Sequence, residues 1–228
     1  MVAANPPPAA MEPVRVILLG PPGAGKGTQA ARLAAFLQVP RISTGDMLRD
    51  AIARGTEVGR KAGPLMERGN LVPDDLLIAL ITERIAQPDC ARGFVLDGFP
   101  RTVPQAEGLA RMPGGGGSGW TLFEVDVPRE ELLRRLSGRR WCPTCQATYH
   151  TVYSPPRREG LCDRDGTPLV LREDDKEDVV AQRLREYDES TAPLIGYYRD
   201  RGEVHRIDGD RPVHDVFEDM KATLGVRA

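Results

Sequence analysis

Gly20-Pro21-Pro22-Gly23-Ala24-Gly25-Lys26-Gly27-Thr28, entered from the apolar run Val14-Arg15-Val16-Ile17-Leu18-Leu19, decides the fold of this chain. A buried strand that runs through a glycine-rich turn into a helix curls its backbone N–H groups around phosphate oxygens. The helix then aims its positive end at the same oxygens. Glycines serve here because side chains would block the approach and several positions need unusual dihedrals. Lys26 would reach the outer phosphates. Gly23, Ala24, Gly25, Lys26, Gly27 and Thr28 are therefore the candidate triphosphate-binding residues. One position departs from the generic pattern. Gly27 stands where Ser or Thr usually follows the lysine, so the hydroxyl that often ligates Mg²⁺ is displaced to Thr28. Ala30, Leu33, Ala34 and Leu37 share one face of the helix expected over 26–37.

Composition narrows the function class. The chain has 228 residues and a net charge of −2, from 31 basic and 33 acidic side chains. That is enough length for one sizeable core with small insertions. The balance of charge gives no reason to expect a nucleic-acid or membrane partner. No apolar run approaches the roughly 20 residues of a membrane span. Residues 1–13 are Pro/Ala-rich and do not read as a signal peptide. A disordered tail is expected there, with Met11 an alternative start, and the cytoplasm is the expected location.

The remaining pattern alternates strands and helices in the α/β manner. Short apolar runs at Phe94–Leu96, Leu122–Val127 and Val204–Ile207 read as strands. Helices are expected at 76–86, with Asp74 or Asp75 as its cap, at 104–111, after Pro128, over 175–190 as one long helix, and from Val213 onward. A P-loop core thus comprises 14–42, 73–138 and 175–228. Two segments break the rhythm as insertions: a polar helical one at 43–72, and a cysteine-bearing one at 139–174 rich in β-prone residues, Tyr149 to Tyr153 among them. Pro113 to Gly119 reads as a flexible surface link.

Further motifs sit where strands end. Ser43-Thr44-Gly45-Asp46-Met47-Leu48-Arg49 follows the first helix, and Asp97-Gly98-Phe99-Pro100-Arg101-Thr102, with Gln105 three residues on, follows a strand. An aspartate at the end of a buried strand beside a phosphate loop holds Mg²⁺ directly or through its waters. Together with Gly138-Arg139-Arg140 and Thr191-Ala192-Pro193-Leu194-Ile195-Gly196-Tyr197-Tyr198, these stretches resemble the adenylate kinase family, of the bacterial long-lid type. The agreement spans residue 14 to about 224, and Lys-Gly-Thr is that family's own form of the loop.

The resemblance implies a P-loop fold with a parallel sheet flanked by helices. Residues 43–72 would be a small nucleoside-monophosphate-binding domain and 139–174 a β-rich, zinc-binding lid. It implies a monomeric transferase that reversibly moves a phosphoryl group from MgATP to AMP, giving two ADP and maintaining the adenine nucleotide balance. Such transfer needs alignment and positive charge more than covalent help. Arginine suits it through its planar, bidentate fork. The family's catalytic positions fall on Lys26, Arg101, Arg135, Arg139, Arg172, Arg183 and Asp97. Thr44, Arg49, Leu71, Val72, Gly98, Arg101, Gln105, Arg172 and Arg183 would bind AMP. Arg135, Arg139, Thr148, Tyr149 and Arg211 would join the phosphate loop in binding ATP. Gln105 would pair its amide with the adenine edge, and Asp97 would orient the Mg²⁺ water shell.

Of the four cysteines, Cys90 stands alone and reads as a partly buried, inert thiol. Cys142-Pro-Thr-Cys145 is followed by Cys162-Asp-Arg-Asp165. Two short knuckles at this separation can put three thiolates and one carboxylate on a tetrahedral ion, and Zn²⁺ accepts that donor set. The resemblance supports this, since Gram-positive members of the family carry the same variant. His150 is a spare candidate ligand. About 35 residues bury too little apolar surface to fold stably alone, so the ion's role is expected to be structural. Two competing readings remain at this stage. One is a UMP or CMP kinase of the same fold, disfavoured by Gln105 and Thr102. The other is a zinc-knuckle ATPase that binds nucleic acid, disfavoured by the acidic residues Glu159, Asp163, Asp165, Glu173, Asp174 and Asp175.

Overall fold

The computed structural model describes residues 13–112, 119–202 and 204–225. The expected tail, apart from Pro13, and residues 113–118 of the expected link lie outside that set. Five parallel strands form the sheet: β1 (Val14–Leu19), β2 (Arg41–Ser43), β3 (Gly93–Asp97), β4 (Trp120–Asp126) and β7 (Val204–Asp208), in the order β2-β3-β1-β4-β7. Between β1 and its neighbours β3 and β4 the chain changes direction across the sheet. Ligands of open α/β sheets bind outside the carboxyl ends of the strands at such a switch point.

Strand β1 shows why both faces are covered. Val16 and Leu18 join the cluster that includes Val95, Phe123 and Val125, while Ile17 and Leu19 join the one that includes Ile42, Leu96 and Phe99. Helices α1 (Lys26–Leu37) and α9 (Val213–Thr223) cover the first face, through Ala30, Leu33, Val216 and Met220. Helices α4 (Asp74–Ile85), α5 (Val103–Arg111) and α8 (Ala192–Arg199) cover the second, through Leu77, Ile81, Leu109 and Leu194. The bounds of β1 and α1 are those expected from the sequence.

Three local expectations need correction. Strand β2, only three residues long, was not anticipated. Asp74 and Asp75 do not cap α4; Pro73 occupies that position without a side-chain bond, and the two carboxylates sit in the first turn, where the helix dipole favours them. The single helix expected over 175–190 is a succession: a 3₁₀ turn at Glu173–Asp175, α7 (Glu177–Glu186), a π turn at Tyr187–Thr191, then α8. The wide turn leaves Pro193 in the first turn of α8, where a missing N–H breaks no bond.

The insertion at 43–72 holds α2 (Thr44–Ala53) and α3 (Glu57–Glu67). Ser43 and Thr56 cap them, accepting from the N–H groups of Asp46 and Gly59. The other insertion follows α6 (Arg129–Ser137). It contains one antiparallel pair, β5 (Arg139–Trp141) and β6 (Thr148–His150). Its β content is therefore smaller than expected, since Thr151, Val152 and Tyr153 leave the ladder in a turn.

Candidate active site

The phosphate loop leaves β1 and enters α1 through Gly25, which caps the helix at φ 88°, a left-handed value that favours glycine. Lys26 donates from Nζ to the carbonyl of Pro21 at 2.8 Å. Burial, together with Arg101, Arg183 and Arg139 nearby, lowers the Lys26 pKa to about 7, against the pull of Asp97. The arginines feel the same pressure. Burial holds Arg101, Arg172 and Arg183 below the ordinary guanidinium value. Arg183 repels Arg101, Arg49 and Arg139 repel Arg172, and Arg139 repels Arg183. Nε of Arg49 and Nε of Arg172 are buried without a hydrogen-bond partner. Residues from α1, α2, the end of β3, the cysteine segment and α7 thus converge on one excess of positive charge.

Each cation has a tether that sets its direction. Arg101 donates from Nε to the Gly98 carbonyl at 2.9 Å, which also accepts from Thr44 Oγ1 at 2.8 Å. Arg49 pairs with Asp46. Arg139 grips the buried carboxylate of Asp175 through two nitrogens, and Arg183 lies 2.9 Å from the same group and 3.1 Å from Asp174. Arg172 donates to Thr148 Oγ1 at 3.1 Å. Arg135 is fixed on three sides, by Glu131 at 2.8 Å, the Gly209 carbonyl at 2.9 Å and Asp210 at 3.3 Å.

Gly27 explains its own departure from the generic loop. A Cβ there would lie 3.2 Å from Asp97 Oδ2 and 3.3 Å from Arg41 Nη2. A side chain would crowd the Asp97 carboxylate and the Arg41 guanidinium across from the loop; Thr28, by contrast, is exposed. Arg41, which pairs with both Asp97 and Asp46, is a residue of this cluster that sequence reading missed. It lies on β2, too short to read, and one basic residue ahead of Ser43-Thr44 carries no signal of its own.

Other expected contacts are placed differently. Gln105 is fully buried: its amide nitrogen donates to Asp74 at 2.7 Å and its oxygen accepts from the Arg101 N–H at 2.8 Å. Only one N–H and one lone pair remain for a base edge. The Tyr149 hydroxyl lies 3.4 Å from Cys162 Sγ and accepts from the Asp163 N–H at 2.8 Å, so the ring belongs to the cysteine cluster. Only the backbone at 149 is left for a nucleotide. Arg211 pairs with Asp219. Val72 is buried in the core, while Leu71 is half-buried. Cys90 is buried, and that burial raises its thiol pKa.

The ligand atoms of Cys142, Cys145, Cys162 and Asp165 all lie within 4.8 Å of one another. A tetrahedron with Zn–S bonds of ~2.3 Å has edges of ~3.8 Å, so the set fits that ion. The two knuckles are built alike. Gln146 donates to the Cys142 carbonyl and Gly166 to that of Cys162, both at 2.9 Å, and both hold positive φ, 61° and 72°. The N–H groups of Cys145 and Arg164 point at Cys142 and Cys162 sulfur, at 3.5 and 3.4 Å. His150 is not part of the cluster; its Nδ1 accepts from the N–H groups of Val152 and Tyr153 at 3.0 and 3.1 Å.

The sequence model of the family described as adenylate kinase matches residues 18–203. The chain is 49% identical to the adenylate kinase of Oceanobacillus iheyensis over 212 residues, which cover 92% of this chain and 99% of that one. It is 51% identical to the adenylate kinase of Moorella thermoacetica, covering 93% and 98%, and 47% identical to that of Archaeoglobus fulgidus, covering 92% and 98%.

Proposed function

Because the chain belongs to the adenylate kinase family, we propose a division of labour among its clustered cations. The enzyme is a kinase that transfers a phosphoryl group reversibly between MgATP and AMP, yielding two ADP. Arg49 and Arg101, with Thr44, take the AMP phosphate. Residues 23–28, Arg135 and Arg139 face ATP, and Lys26, Arg172 and Arg183 surround the migrating group. Arg211, Leu71 and the backbone at Thr148 and Tyr149 complete the base pockets. The observation that carries this reading is the clustered charge: buried arginines and a lysine that depress one another, with Nε of Arg49 and Arg172 lacking a partner, call for the phosphates of two nucleotides to balance them.

Tethered guanidinium forks hold two anions end to end, and their positive charge stabilises the transferring phosphoryl group. Asp97, beside the gap at Gly27, would hold the water shell of Mg²⁺, which shields phosphate oxygens when bound. No general base is needed, since the AMP phosphate oxygen is already deprotonated. Residues 43–72 and 139–174 act as nucleotide-binding flaps, and closing the second excludes water from the reaction.

Cys142, Cys145, Cys162 and Asp165 would hold Zn²⁺, which would supply a structural centre and, with four protein ligands, leave no position for substrate. The small apolar cluster of that segment, Cys142, Tyr149 and Cys162 with Cys145, Ala147 and Leu169, supports this role. Unpaired thiols at all four cysteines suit a reducing cytoplasm, where we place the enzyme as a monomer. Among the described residues no helix is long and apolar enough to cross a membrane.

The test is ADP formation from MgATP with AMP, UMP or CMP. AMP should be preferred by orders of magnitude. Equal turnover of UMP or CMP would sink the assignment of the acceptor pocket.

A further inference from the structure

Among the clustered cations, Arg172 is tethered in a way of its own. Arg49, Arg135, Arg139 and Arg183 each lean on a carboxylate, and Arg101 on a backbone carbonyl. Arg172 donates from Nη2 to a hydroxyl, Thr148 Oγ1, at 3.1 Å, and its guanidinium carbon lies 5.7 Å from the centroid of the Trp141 ring. No carboxylate among the described residues pairs with it. Its Nε is buried and meets no acceptor among them.

The backbone puts these side chains in a row. Trp141 on β5 stands opposite Thr148 on β6. On its other side Trp141 exchanges two backbone hydrogen bonds with Val170, at 2.8 and 2.9 Å. Val170, Trp141 and Thr148 therefore share one rung, and side chains on a rung point to one face. Arg172 comes two residues after Val170, its own backbone extended. From there a long side chain reaches diagonally across the indole and ends on the hydroxyl beyond it. The indole has no polar duty in the fold: its Nε1 is buried and meets no acceptor among the described residues. A phenylalanine would spare that donor, whereas tryptophan offers a cation the stronger face.

We propose that Trp141 is a positioning residue for phosphoryl transfer, its indole face aiming the Arg172 guanidinium while leaving the positive charge uncancelled. This rests on the reading of Arg172 as surrounding the migrating group. A carboxylate in the same place would set direction but would also offset the charge that phosphate oxygens are to meet. A ring sets direction through its quadrupole and carries no net charge. The guanidinium is thus oriented before the phosphates arrive, and no reorganisation is needed when they do. Trp141 itself touches no nucleotide in this arrangement.

The experiment is steady-state kinetics on the zinc-loaded full chain, with zinc content and Tm measured for every variant because Cys142 adjoins the ring. Trp141→Leu keeps bulk and removes the aromatic face. It should lower kcat about three- to tenfold, the worth of one partly desolvated cation–π contact. Trp141→Phe keeps a weaker face and should hold kcat within about twofold of the wild type. In both variants the KM for AMP and the KM for MgATP should stay within about threefold. Arg172→Met should lower kcat further, and adding Trp141→Leu to it should cost nothing more, because both act through one guanidinium. An unchanged kcat in Trp141→Leu, equal losses in the Leu and Phe variants, a loss that follows zinc content or Tm, or additive losses in the double variant would overturn the proposal. Should Arg172→Met turn over as fast as the wild type, the reading of Arg172 would fail first, and the proposal with it.

Discussion

One nitrogen of Arg41, Nη2, lies 2.8 Å from the carboxylate of Asp97 and 2.9 Å from that of Asp46. Asp46 in turn pairs with Arg49. A continuous line of alternating charge therefore runs from the arginine assigned to the AMP phosphate to the aspartate assigned to Mg²⁺. Burial works against ionisation of Asp46, but Arg49 and Arg41 outweigh it and hold that carboxyl below its usual value.

Breaking this line should disturb metal use before nucleotide binding. Arg41→Met leaves Asp97 without the donor that sets its rotamer. We expect kcat to fall about tenfold, the cost of one lost charge-assisted hydrogen bond at a reacting centre. The Mg²⁺ concentration for half-maximal rate should rise, while KM for AMP stays within about threefold. A Mg²⁺ titration of activity decides it; superimposable curves for both proteins would remove Arg41 from the mechanism.

Lys26 gives a pH signature. Its folded pKa of about 7 lies below the ordinary 10.5. Because the folded value is lower, the cost of burying the charged amine is complete below pH 7. It is relieved as pH rises from about 7 to 10.5. Lys26→Met should therefore stabilise the ligand-free protein by about 1–3 kcal/mol at pH 6, discounted for the partial exposure of Lys26. The gain should fade toward pH 10. Phosphate restores the charge, so calorimetry in buffers of different ionisation heat should show proton uptake on ATP binding near pH 8. Wild-type protein binding ATP with no proton uptake would contradict this.

The gap at Gly27 is tested by filling it. Gly27→Ser restores the generic hydroxyl but places Cβ 3.2 Å from Asp97. Displacement of the carboxylate by a few tenths of an ångström should cost about tenfold or more in kcat. Full activity in this variant would show that the space is not used.

Metal removal separates stability from chemistry. Chelation should lower the Tm by about 5–10 °C, in line with loss of a few kcal/mol from a chain of this size. Initial rates measured at low temperature should persist. Elemental analysis should find one zinc per chain, and Cys162→Ala should lose it. Immediate loss of turnover at low temperature would instead tie the ion to the reaction.

Gln105 has two duties. Gln105→Leu leaves Asp74 Oδ1 with Thr102 as its remaining side-chain donor, which should cost about 1 kcal/mol of stability, and should also raise the KM for AMP. A variant that lost stability with unchanged KM for AMP would confine Gln105 to the core.

Much of this was legible because it rests on local chemistry. Val14 to Thr28 specifies a strand, a turn and the start of a helix within fifteen residues, and α1 ends where its apolar face ends. The knuckles were legible because ligand spacing repeats. What escaped the sequence is what depends on distant partners. Strand β2 owes its existence to pairing with β3, at Arg41 opposite Val95, so three residues could not announce it. Gln105 and Tyr149 also take partners that the local sequence does not announce, Asp74, 31 positions earlier, and Cys162, 13 positions later. The π turn before Pro193 is likewise a tertiary compromise, invisible to a 3.6-residue period.

The clasp between Arg139 and Asp175 has one more implication. These residues stand 36 positions apart in the chain yet meet side by side, so everything between them leaves and re-enters the molecule through a single doorway. Natural or engineered lengthening and trimming of that excursion therefore need not strain the sheet beneath it.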